Sequence, residues 1–381
     1  MVIGYVCETD PFKDRYAWSG LIFKIRESIE KAGFQVVWIP FDVDSKFVSF
    51  FEKLRWKLSK LFGGKLFLGG VHFLPVVYGY AKTVRKNDEF DKCDALFFPR
   101  GGQIGLFLRT NKPIISYSDA TAYLMNNYYW KNCHPLSVKM ACLIEKKASQ
   151  RASLNIRASQ WAVNSLIQDC KYDPIKCAVL EFGACIDDSD IRPNGSYKGG
   201  ILQVLFSGVE WNRKGGDVAV QTVRFLIERG YDAILNIVGI KELPDYCQHY
   251  GFIKNHGFLN KNDPDAYRRY VKLYKNSHIM LLPTHAECAG IVFSEAAGFG
   301  IPAYTYATGG TENYVVNGIN GYALSPDVGA EGFAERISKD IESDDISRLH
   351  QGALRLYSER LSWSAWSKRF KGIMDQMELV K

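Results

Sequence analysis

The chain of 381 residues lacks several patterns that would each point to one class of protein. Its nine cysteines form no CxxC pair and no cluster with histidine, which argues against a zinc site and predicts buried, reduced thiols. It contains no GxxxxGK[ST] loop and no GxGxxG after its first apolar run. The chain therefore carries neither of these common phosphate-binding patterns.

The chain also lacks a segment suited to crossing a membrane. Its longest charge-free run near the start, residues 66–81, spans 16 residues, is broken by glycines and a proline, and is too short for a bilayer. The opening residues, MVIGYVCETDPFKD, have no basic leader and contain acidic side chains, so we expect no signal peptide. These features predict a cytoplasmic protein.

Acidic residues are outnumbered only in the first half of the chain. Residues 1–195 carry 27 Lys and Arg against 20 Asp and Glu, whereas residues 196–381 carry 21 of each. Within the first half, residues 41–87 hold nine basic and three acidic side chains. If charge selects a partner, such as an anionic membrane surface, we expect this segment to make the contact. We expect no nucleic-acid partner.

Apolar runs alternate with amphipathic stretches along most of the chain, and this alternation is typical of parallel sheets with helical crossovers. The series occurs twice, separated by the polar, glycine-rich PNGSYKGG at residues 193–200. A chain of this length also exceeds a usual single core. We therefore predict an α/β protein with one domain over 1–194 and a second over 195–361. The expected strands are residues 2–6, 36–39, 95–98 and 114–117, then 201–206, 234–238, 279–282 and 302–305.

The most informative segment is residues 283–324, PTHAECAGIVFSEAAGFGIPAYTYATGGTENYVVNGINGYAL. The pattern predicts a strand end, a loop that carries Glu287, and a helix over 290–298 that carries Glu295. A loop that leads into a helix N-terminus suits an anion such as a diphosphate. One carboxylate beside that anion can bind sugar hydroxyls, and the other can accept hydrogen bonds from a ribose.

This segment, with its glycine pair at 309–310, resembles the E-x₇-E motif of family 4 retaining glycosyltransferases. The resemblance covers essentially the whole chain and is strongest over 201–324. It implies the GT-B architecture, in which two Rossmann-like, doubly wound domains face a central cleft and a final helix, here 362–381, crosses back to the first domain. It also implies that Glu287 holds the donor sugar and Glu295 the ribose. The helix start beside the donor would comprise Cys288, Ala289, Gly290 and Ile291.

A second motif, LFSGVEWNRKGGDVAV at residues 205–220, places Arg213 and Lys214 just before a helix. Two cations there could clamp a diphosphate whose charge grows as the glycosidic bond breaks. Taken alone, the motif is more typical of a solvated basic turn. In the family, the lysine of a Lys-Gly pair contacts the donor phosphates. Lys214, which precedes a glycine, matches that lysine. The family's upstream Gly-Arg pair is here Gly208 followed by valine, so we expect Arg213 to substitute for the missing arginine.

Three weaker elements complete the candidate site. In NHGFLNK (255–261), the resemblance implies nucleobase contacts at Phe258 and Leu259, although the stretch is otherwise only a strand end and a turn. In YAWSG (16–20), Ser19 and Gly20 would face the donor phosphates and the acceptor, or Ser19 is an ordinary helix cap. In SYSDATAY (116–123), Asp119 stands where many members carry a histidine near the reacting centre. It either orients a sugar hydroxyl or caps a helix over 120–130.

The run Phe47–Phe62 is basic and amphipathic, with Phe47, Phe51, Leu54, Leu58 and Phe62 on one stripe. It is typical of a helix at a membrane interface and equally of a helix packed on a sheet with a basic outer face. Many family members act on lipid-linked acceptors, which adds weight to the membrane interpretation beside that of a packed helix.

The sequence thus predicts a retaining hexosyltransferase that uses a nucleotide-diphospho sugar, with UDP favoured over GDP, and a glycan or lipid-linked acceptor. No DxD motif accompanies the donor segment, so we expect neither a metal nor another cofactor. We expect a cytoplasmic location, with peripheral association at the inner face of the membrane as an extension of it. The alternatives are an inactive nucleotide-sugar-binding subunit and another GT-B reaction, such as that of an epimerase or a phosphorylase.

Overall fold

The computed structural model describes residues 1–15 and 17–377, which form two compact units. The first unit comprises residues 1–180 together with the chain from Trp366 onwards, and the second comprises residues 181–365. No helix within the described ranges has the length and apolar character needed to span a membrane.

The first unit is built on a parallel sheet of six strands in the order β2-β1-β3-β4-β5-β6. Its strands are β1 Val2–Cys7, β2 Gln35–Pro40, β3 Ala95–Phe98, β4 Ile114–Ser118, β5 Leu154–Arg157 and β6 Cys177–Val179. Its helices are α1 Leu21–Lys31, α2 Lys46–Leu61, α3 Leu74–Lys86, α4 Ala122–Met125, α5 Pro135–Arg151 and α6 Gln160–Gln168.

The second unit repeats this plan with the order β12-β11-β10-β7-β8-β9, again all parallel. Its strands are β7 Leu202–Ser207, β8 Ala233–Val238, β9 Ile253–Asn255, β10 Ile279–Leu282, β11 Ala303–Tyr306 and β12 Gly321–Leu324. Its helices are α7 Trp211–Lys214, α8 Gly216–Glu228, α9 Pro264–Lys275, α10 Ile291–Gly298, α11 Ala330–Glu342 and α12 Asp345–Leu356, followed by α13 Trp363–Gln376.

The central strands of both sheets are buried on both faces, which is why they read as unbroken apolar runs. All four side chains of β3 and all four of β10 are completely buried. All eight strands predicted from such runs are present within one or two residues. Four strands were not among the eight. Polar residues interrupt the apolar pattern of β5 and β9, and the edge strands β6 and β12 are only three and four residues long.

Each sheet contains one point at which the chain reverses its direction of progress across the sheet. In the first unit this point lies between β1 and β3, and in the second it lies between β7 and β10. Ligands of doubly wound sheets bind outside the carboxyl ends of the strands at such a point. The topology therefore marks one crevice in each unit.

The division between the units falls at residue 180, whereas we predicted it at 194. Residues 181–194 pack with the second unit: the Phe182 carbonyl accepts a hydrogen bond from Ser294 (2.8 Å), and the Asn194 side chain donates to the Tyr274 carbonyl (2.8 Å). From Trp366 onwards, α13 packs with the first unit. The Trp366 indole donates to the Tyr117 hydroxyl at 3.1 Å.

Two local predictions are wrong. The helix expected over 120–130 is only the four-residue α4, because Asn126 is already extended (ψ 125°) and Asn127 then adopts a left-handed conformation (φ 61°). The thiols of Cys142 and Cys177, expected to be buried, are only partly so, although no cysteine forms a disulfide.

Candidate functional site

The crevice of the second unit is formed by the segments that follow β7 and β10. After β7 the chain passes Gly208 and forms the single turn α7, which ends at Lys214. After β10 it forms the loop 283–290, which leads into α10. Because β7 and β10 are neighbours in the sheet, these two segments lie side by side at its carboxyl edge.

Lys214 and Glu287 form an ion pair across this crevice. The two residues are 73 positions apart in the sequence, and their side chains are 10% and 13% exposed. A pair so shielded from water interacts more strongly than a surface pair, yet both groups still reach the crevice. A ligand that carries both a phosphate and hydroxyl groups can take the place of each partner. Its phosphate can bind Lys214 instead of the carboxylate, and its hydroxyls can bind Glu287 instead of the ammonium.

Arg213 holds the loop after β10 in place. Its guanidinium donates to the Ala286 carbonyl at 3.0 Å and pairs with Glu210 at 2.9 Å, and its own carbonyl accepts from the His285 amide at 2.8 Å. The two predicted cations therefore have different contacts. Lys214 faces the first glutamate, and Arg213 is tied to the backbone beside it.

Two glycines are required by this geometry. Gly215 has φ +73°, and a Cβ there would lie 2.0 Å from the Pro283 carbonyl oxygen. Gly290 has φ +149°, and a Cβ there would lie 2.3 Å from the Phe293 ring. Any other residue would push α7 away from the loop or disturb the start of α10. The predicted glycine pair also has a local role, because the Gly310 amide donates to the Glu287 carbonyl at 2.9 Å.

Glu295, the second glutamate of the motif, is completely buried inside α10. One carboxylate oxygen accepts from the hydroxyls of Tyr270 (2.7 Å) and Tyr274 (2.8 Å), and the other accepts from the Lys261 ammonium (3.3 Å). Tyr270 also lies 3.3 Å from the hydroxyl of Ser207, the last residue of β7. The network therefore connects Glu295 to the same edge of the sheet.

The charges of this network stabilise one another. Burial, and next the charge of Glu295, raise the pKa of both tyrosines above the ordinary tyrosine value, so their hydroxyls stay protonated. Burial alone would lower the pKa of Lys261, but Glu295 and Tyr270 raise it well above the usual lysine value. Lys261 is thus a cation at neutral pH, and its side chain is 33% exposed.

Sequence reasoning did not single out Lys261, Tyr270 or Tyr274. A signal existed, because the two tyrosines stand four residues apart in α9 and therefore share one helix face. Lys261 closes the segment NHGFLNK, in which only Phe258 and Leu259 were singled out. In the structure Phe258 is 45% exposed, whereas Leu259 is 8% exposed and packs inward.

The remaining residues that were predicted to bind the donor nucleotide sugar are distributed over both units. Cys288 and Ala289 are buried in the loop before α10, and Ile291 is its first residue. Gly208 packs against Lys214, since a Cβ at Gly208 would lie 2.8 Å from the lysine Cγ. Ser19, Gly20 and Asp119 belong to the first unit.

The alternative role of Ser19 as a helix cap is wrong. Ser19 has a left-handed backbone (φ 59°), and the N-cap of α1 is Gly20, which has no side chain to cap with. Asp119 is not the cap of α4 either, because Thr121 occupies that position. Asp119 instead lines a cavity of the first unit together with Glu8 and Arg100.

No group of three or more His, Cys, Asp or Glu side chains within residues 1–15 and 17–377 is arranged to hold a metal ion. The cations next to the glutamates of the motif are Lys214, Arg213 and Lys261.

Helix α2 presents apolar side chains to solvent. Of the predicted stripe, Phe47 is 45%, Leu54 39% and Phe62 42% exposed, and the one fully buried residue of α2 is Val48. Phe50 and Trp56, which the stripe did not include, are 63% and 55% exposed. Each side chain of the stripe is more than half buried, and the ring of Phe47 contacts those of Phe51 and Tyr78. A packed helix therefore accounts for the stripe but not for the exposure of Phe50 and Trp56.

Comparison with known proteins shows which proteins this chain is similar to. Residues 188–353, most of the second unit, match the family model of glycosyl transferases group 1. The capsular polysaccharide biosynthesis glycosyltransferase CapM of Staphylococcus aureus is 24% identical over 174 residues, 43% of this chain and 44% of that protein. A D-inositol 3-phosphate glycosyltransferase of Corynebacterium aurimucosum is 26% identical over 297 residues, 71% of this chain and 68% of that one. The chain thus spans less than half the length of the first relative and about two thirds of the second.

The likeness in structure extends over both units. The crystal structure of HepE from Anabaena in complex with UDP-glucose matches with a TM-score of 0.60 at 15% sequence identity, covering 100% of each chain. Together with the two parallel six-stranded sheets, this likeness confirms the predicted α/β, two-domain GT-B fold.

Proposed function

We propose that this protein is a retaining glycosyltransferase that moves a hexose from UDP to a hydroxyl of a glycan or a lipid-linked saccharide, without a metal ion. The observation that carries the proposal is the ion pair of Lys214 with Glu287 in the crevice between β7 and β10. A shielded lysine beside a carboxylate offers one group for a diphosphate and one for sugar hydroxyls. The match of the surrounding residues to the group 1 family model points to the same chemistry.

In this reaction the bond from the sugar C1 to the diphosphate oxygen breaks, and the acceptor oxygen bonds to C1 on the same face. The acceptor proton passes to an oxygen of the departing phosphate. Negative charge grows on that phosphate, and Lys214 stabilises it where little water screens the interaction. Glu287 accepts hydrogen bonds from the donor sugar and fixes its orientation. Arg213 contributes by holding the loop that carries Glu287.

The nucleoside is assigned to the neighbouring network of α9 and α10. The side chain of Lys261 is 33% exposed while it is paired with Glu295, and we take its ammonium as the group that binds a ribose hydroxyl or a phosphate oxygen. Glu295 contributes from behind by keeping that lysine charged and oriented. The preference for UDP is supported by the UDP-glucose complex of HepE, a protein similar in fold.

A donor panel tests the proposal. We expect UDP-glucose or UDP-galactose to raise the melting temperature of the protein more than GDP-mannose or ADP-glucose, because binding to the folded state stabilises it by mass action, by about 2.7 kcal/mol at a hundredfold excess over Kd. Proton NMR of the slow donor hydrolysis should show the α-anomer first, in buffer containing EDTA. Stabilisation by none of these nucleotides, initial release of the β-anomer, or activity abolished by EDTA and restored by Mn²⁺ would each contradict one part of the proposal.

We propose further that the protein meets its acceptor at a membrane surface. Residues 41–87 carry nine basic side chains against three acidic ones, and α2 exposes Phe50 and Trp56 beside Lys53, Lys57 and Lys60. Exposed aromatic rings enter the interface of a bilayer, and lysines attract anionic lipids. We therefore assign this protein to the cytoplasmic face of a membrane, with α2 as the contact.

Vesicle co-sedimentation measures this contact. We expect binding to vesicles with anionic lipid at low salt and weaker binding at 0.15 M salt, where charges are screened over about 8 Å. Replacing Lys53, Lys57 and Lys60 with serine should reduce binding by at least about tenfold, since each lysine near the surface contributes about 1 kcal/mol. The matched control replaces three exposed lysines of the second unit, Lys254, Lys272 and Lys275, and should bind like the wild type. An absence of binding at low salt would leave α2 without a membrane role.

A further inference from the structure

The turn that carries Lys214 depends on its surroundings for its position. α7 has only four residues, Trp211–Lys214, and the Lys214 amide closes the turn by donating to the Glu210 carbonyl at 2.9 Å. One turn of helix is unstable by itself, because forming it fixes several residues for very few hydrogen bonds. Tertiary contacts at the two ends of α7 therefore determine where the Lys214 ammonium lies.

The indole of Trp211 holds the start of α7. Its ring lies against Gly216, where a Cβ would be 2.3 Å from the ring, and its centroid is 5.8 Å from that of Phe206. The indole Nε1 donates to Oδ1 of Asp217 at 2.9 Å. The ring is thus fixed by a hydrogen bond as well as by apolar contacts.

The same oxygen of Asp217 accepts a second hydrogen bond, from the hydroxyl of Tyr246. Tyr246 lies in the helical turn Asp245–His249, which follows β8, the strand beside β7. Burial, and next the hydrogen bond to Asp217, raise the pKa of Tyr246 well above the ordinary tyrosine value, so its hydroxyl stays protonated and remains a donor. One carboxylate oxygen therefore joins the start of α7 to the segment after the neighbouring strand.

An acidic residue at this position also has a simpler role. Asp217 is the second residue of α8, where a negative charge stabilises the helix through its dipole. That role depends on the charge and needs neither Trp211 nor Tyr246. A role in holding α7 depends instead on an oxygen that accepts hydrogen bonds, so an amide at position 217 distinguishes the two.

We propose that Asp217 is a positioning residue for Lys214: by accepting hydrogen bonds from Trp211 and Tyr246 it fixes α7 and keeps the Lys214 ammonium beside Glu287. A misplacement of about 1 Å can cost about 10² in rate, so a small shift of α7 would affect transfer. The inference rests on the proposed function only in this consequence, because the position of Lys214 can be measured without a donor.

Acetylation of the full chain with sulfosuccinimidyl acetate, resolved by residue with mass spectrometry, measures that position. The reagent must reach the amine, and the Lys214 side chain is only 10% exposed. We expect Lys214 to react slowly in the wild type and about fivefold faster in Asp217→Ala, as for the loss of a hydrogen bond of ordinary strength. Asp217→Asn keeps an oxygen that accepts hydrogen bonds, so its Lys214 should react nearly as slowly as in the wild type.

Two further variants show whether the contact with Trp211 is responsible. Trp211→Phe keeps a ring near Gly216 but removes the donor, so Lys214 should again react faster. Combining it with Asp217→Ala should add little, because both substitutions break the same contact. Asp232→Ala, at an exposed aspartate of the same unit, is the matched control and should react like the wild type. Acetylation of the exposed Lys241 should be equal in all variants, and their melting temperatures show that they are folded.

Initial rates separate positioning from a purely structural role. Asp217→Ala should lower kcat about tenfold and change the donor KM less, and Asp217→Asn should restore most of the rate. The inference is overturned if Lys214 reacts equally in Asp217→Ala and the wild type, or if Asp217→Asn reacts as fast as Asp217→Ala, which would assign Asp217 to the dipole of α8. UDP should slow the acetylation of Lys214 in the wild type. If it does not, the proposed donor site is contradicted, whereas the comparison of the variants without nucleotide still decides the role of Asp217.

Discussion

Replacing Lys214 with alanine is expected to reduce kcat by about 10²–10³, the usual loss when one preorganised stabiliser of transition-state charge is removed. The physical reason is the position of Lys214, which is paired with Glu287 and only 10% exposed. Its charge there acts on the departing diphosphate with little screening by water. Because that charge is greatest in the transition state, KM should rise much less than kcat falls. Initial rates over a range of donor concentrations give both parameters.

Two further variants separate charge from packing. Lys214→Met keeps the aliphatic stem that lies against Gly208, so a loss of kcat equal to that of the alanine variant would assign the effect to the ammonium group. Lys241→Ala removes an exposed lysine of the same unit and should leave both parameters unchanged. Wild-type turnover and donor affinity in Lys214→Ala would leave residues 213–214 with a structural role only.

Glu295→Ala is expected to have the second large effect, on both stability and nucleotide binding. The substitution leaves two tyrosine hydroxyls and one ammonium without their common partner, and breaking a buried pair in this way costs about 3–5 kcal/mol. For a unit of this size, such a loss lowers the melting temperature by roughly 10 °C. The binding free energy of UDP should become less favourable by about 1–3 kcal/mol, because Lys261 loses the group that orients it.

Glu295→Gln distinguishes these two effects. The amide oxygen can still accept from Tyr270 and Tyr274, so most of the stability should return, whereas the charge that holds Lys261 is absent. We therefore expect Glu295→Gln to fold well and to bind UDP weakly, as measured by calorimetry and thermal unfolding. Glu242→Gln, at an exposed glutamate of the same unit, is the matched control. A folded Glu295→Gln variant with unchanged UDP affinity would remove Glu295 from the nucleotide site.

The Lys261→Met variant shows whether Glu295 acts through the lysine. If the lysine is the group that contacts the nucleotide, Lys261→Met should weaken UDP binding as much as Glu295→Gln does. If instead Glu295 contacts the ribose itself, as the family resemblance implies, Lys261→Met should retain most of the affinity. Neither result alters the expectation for Lys214, because the two ion pairs share no residue.

The sequence by itself predicted the alternation of strands and helices, the parallel sheets and the two-domain fold. It could do so because these features depend on local periodicity and on apolar runs that are buried on both faces. It also placed Glu287 on a loop, Glu295 in a helix and Lys214 at a turn, since glycines mark the ends of those elements in the chain.

Only the tertiary structure decided which charges meet. Lys214 reaches Glu287 across 73 positions and Lys261 reaches Glu295 across 34, and no local pattern encodes contacts over such separations. The same holds for the exposure of α2, because amphipathic spacing shows that a helix has an apolar face but not whether anything covers it. Glu295 illustrates the difference. The motif identified the residue, but only the tertiary structure shows that it is completely buried and that Tyr270 and Tyr274, from a distant segment of the chain, donate hydrogen bonds to it.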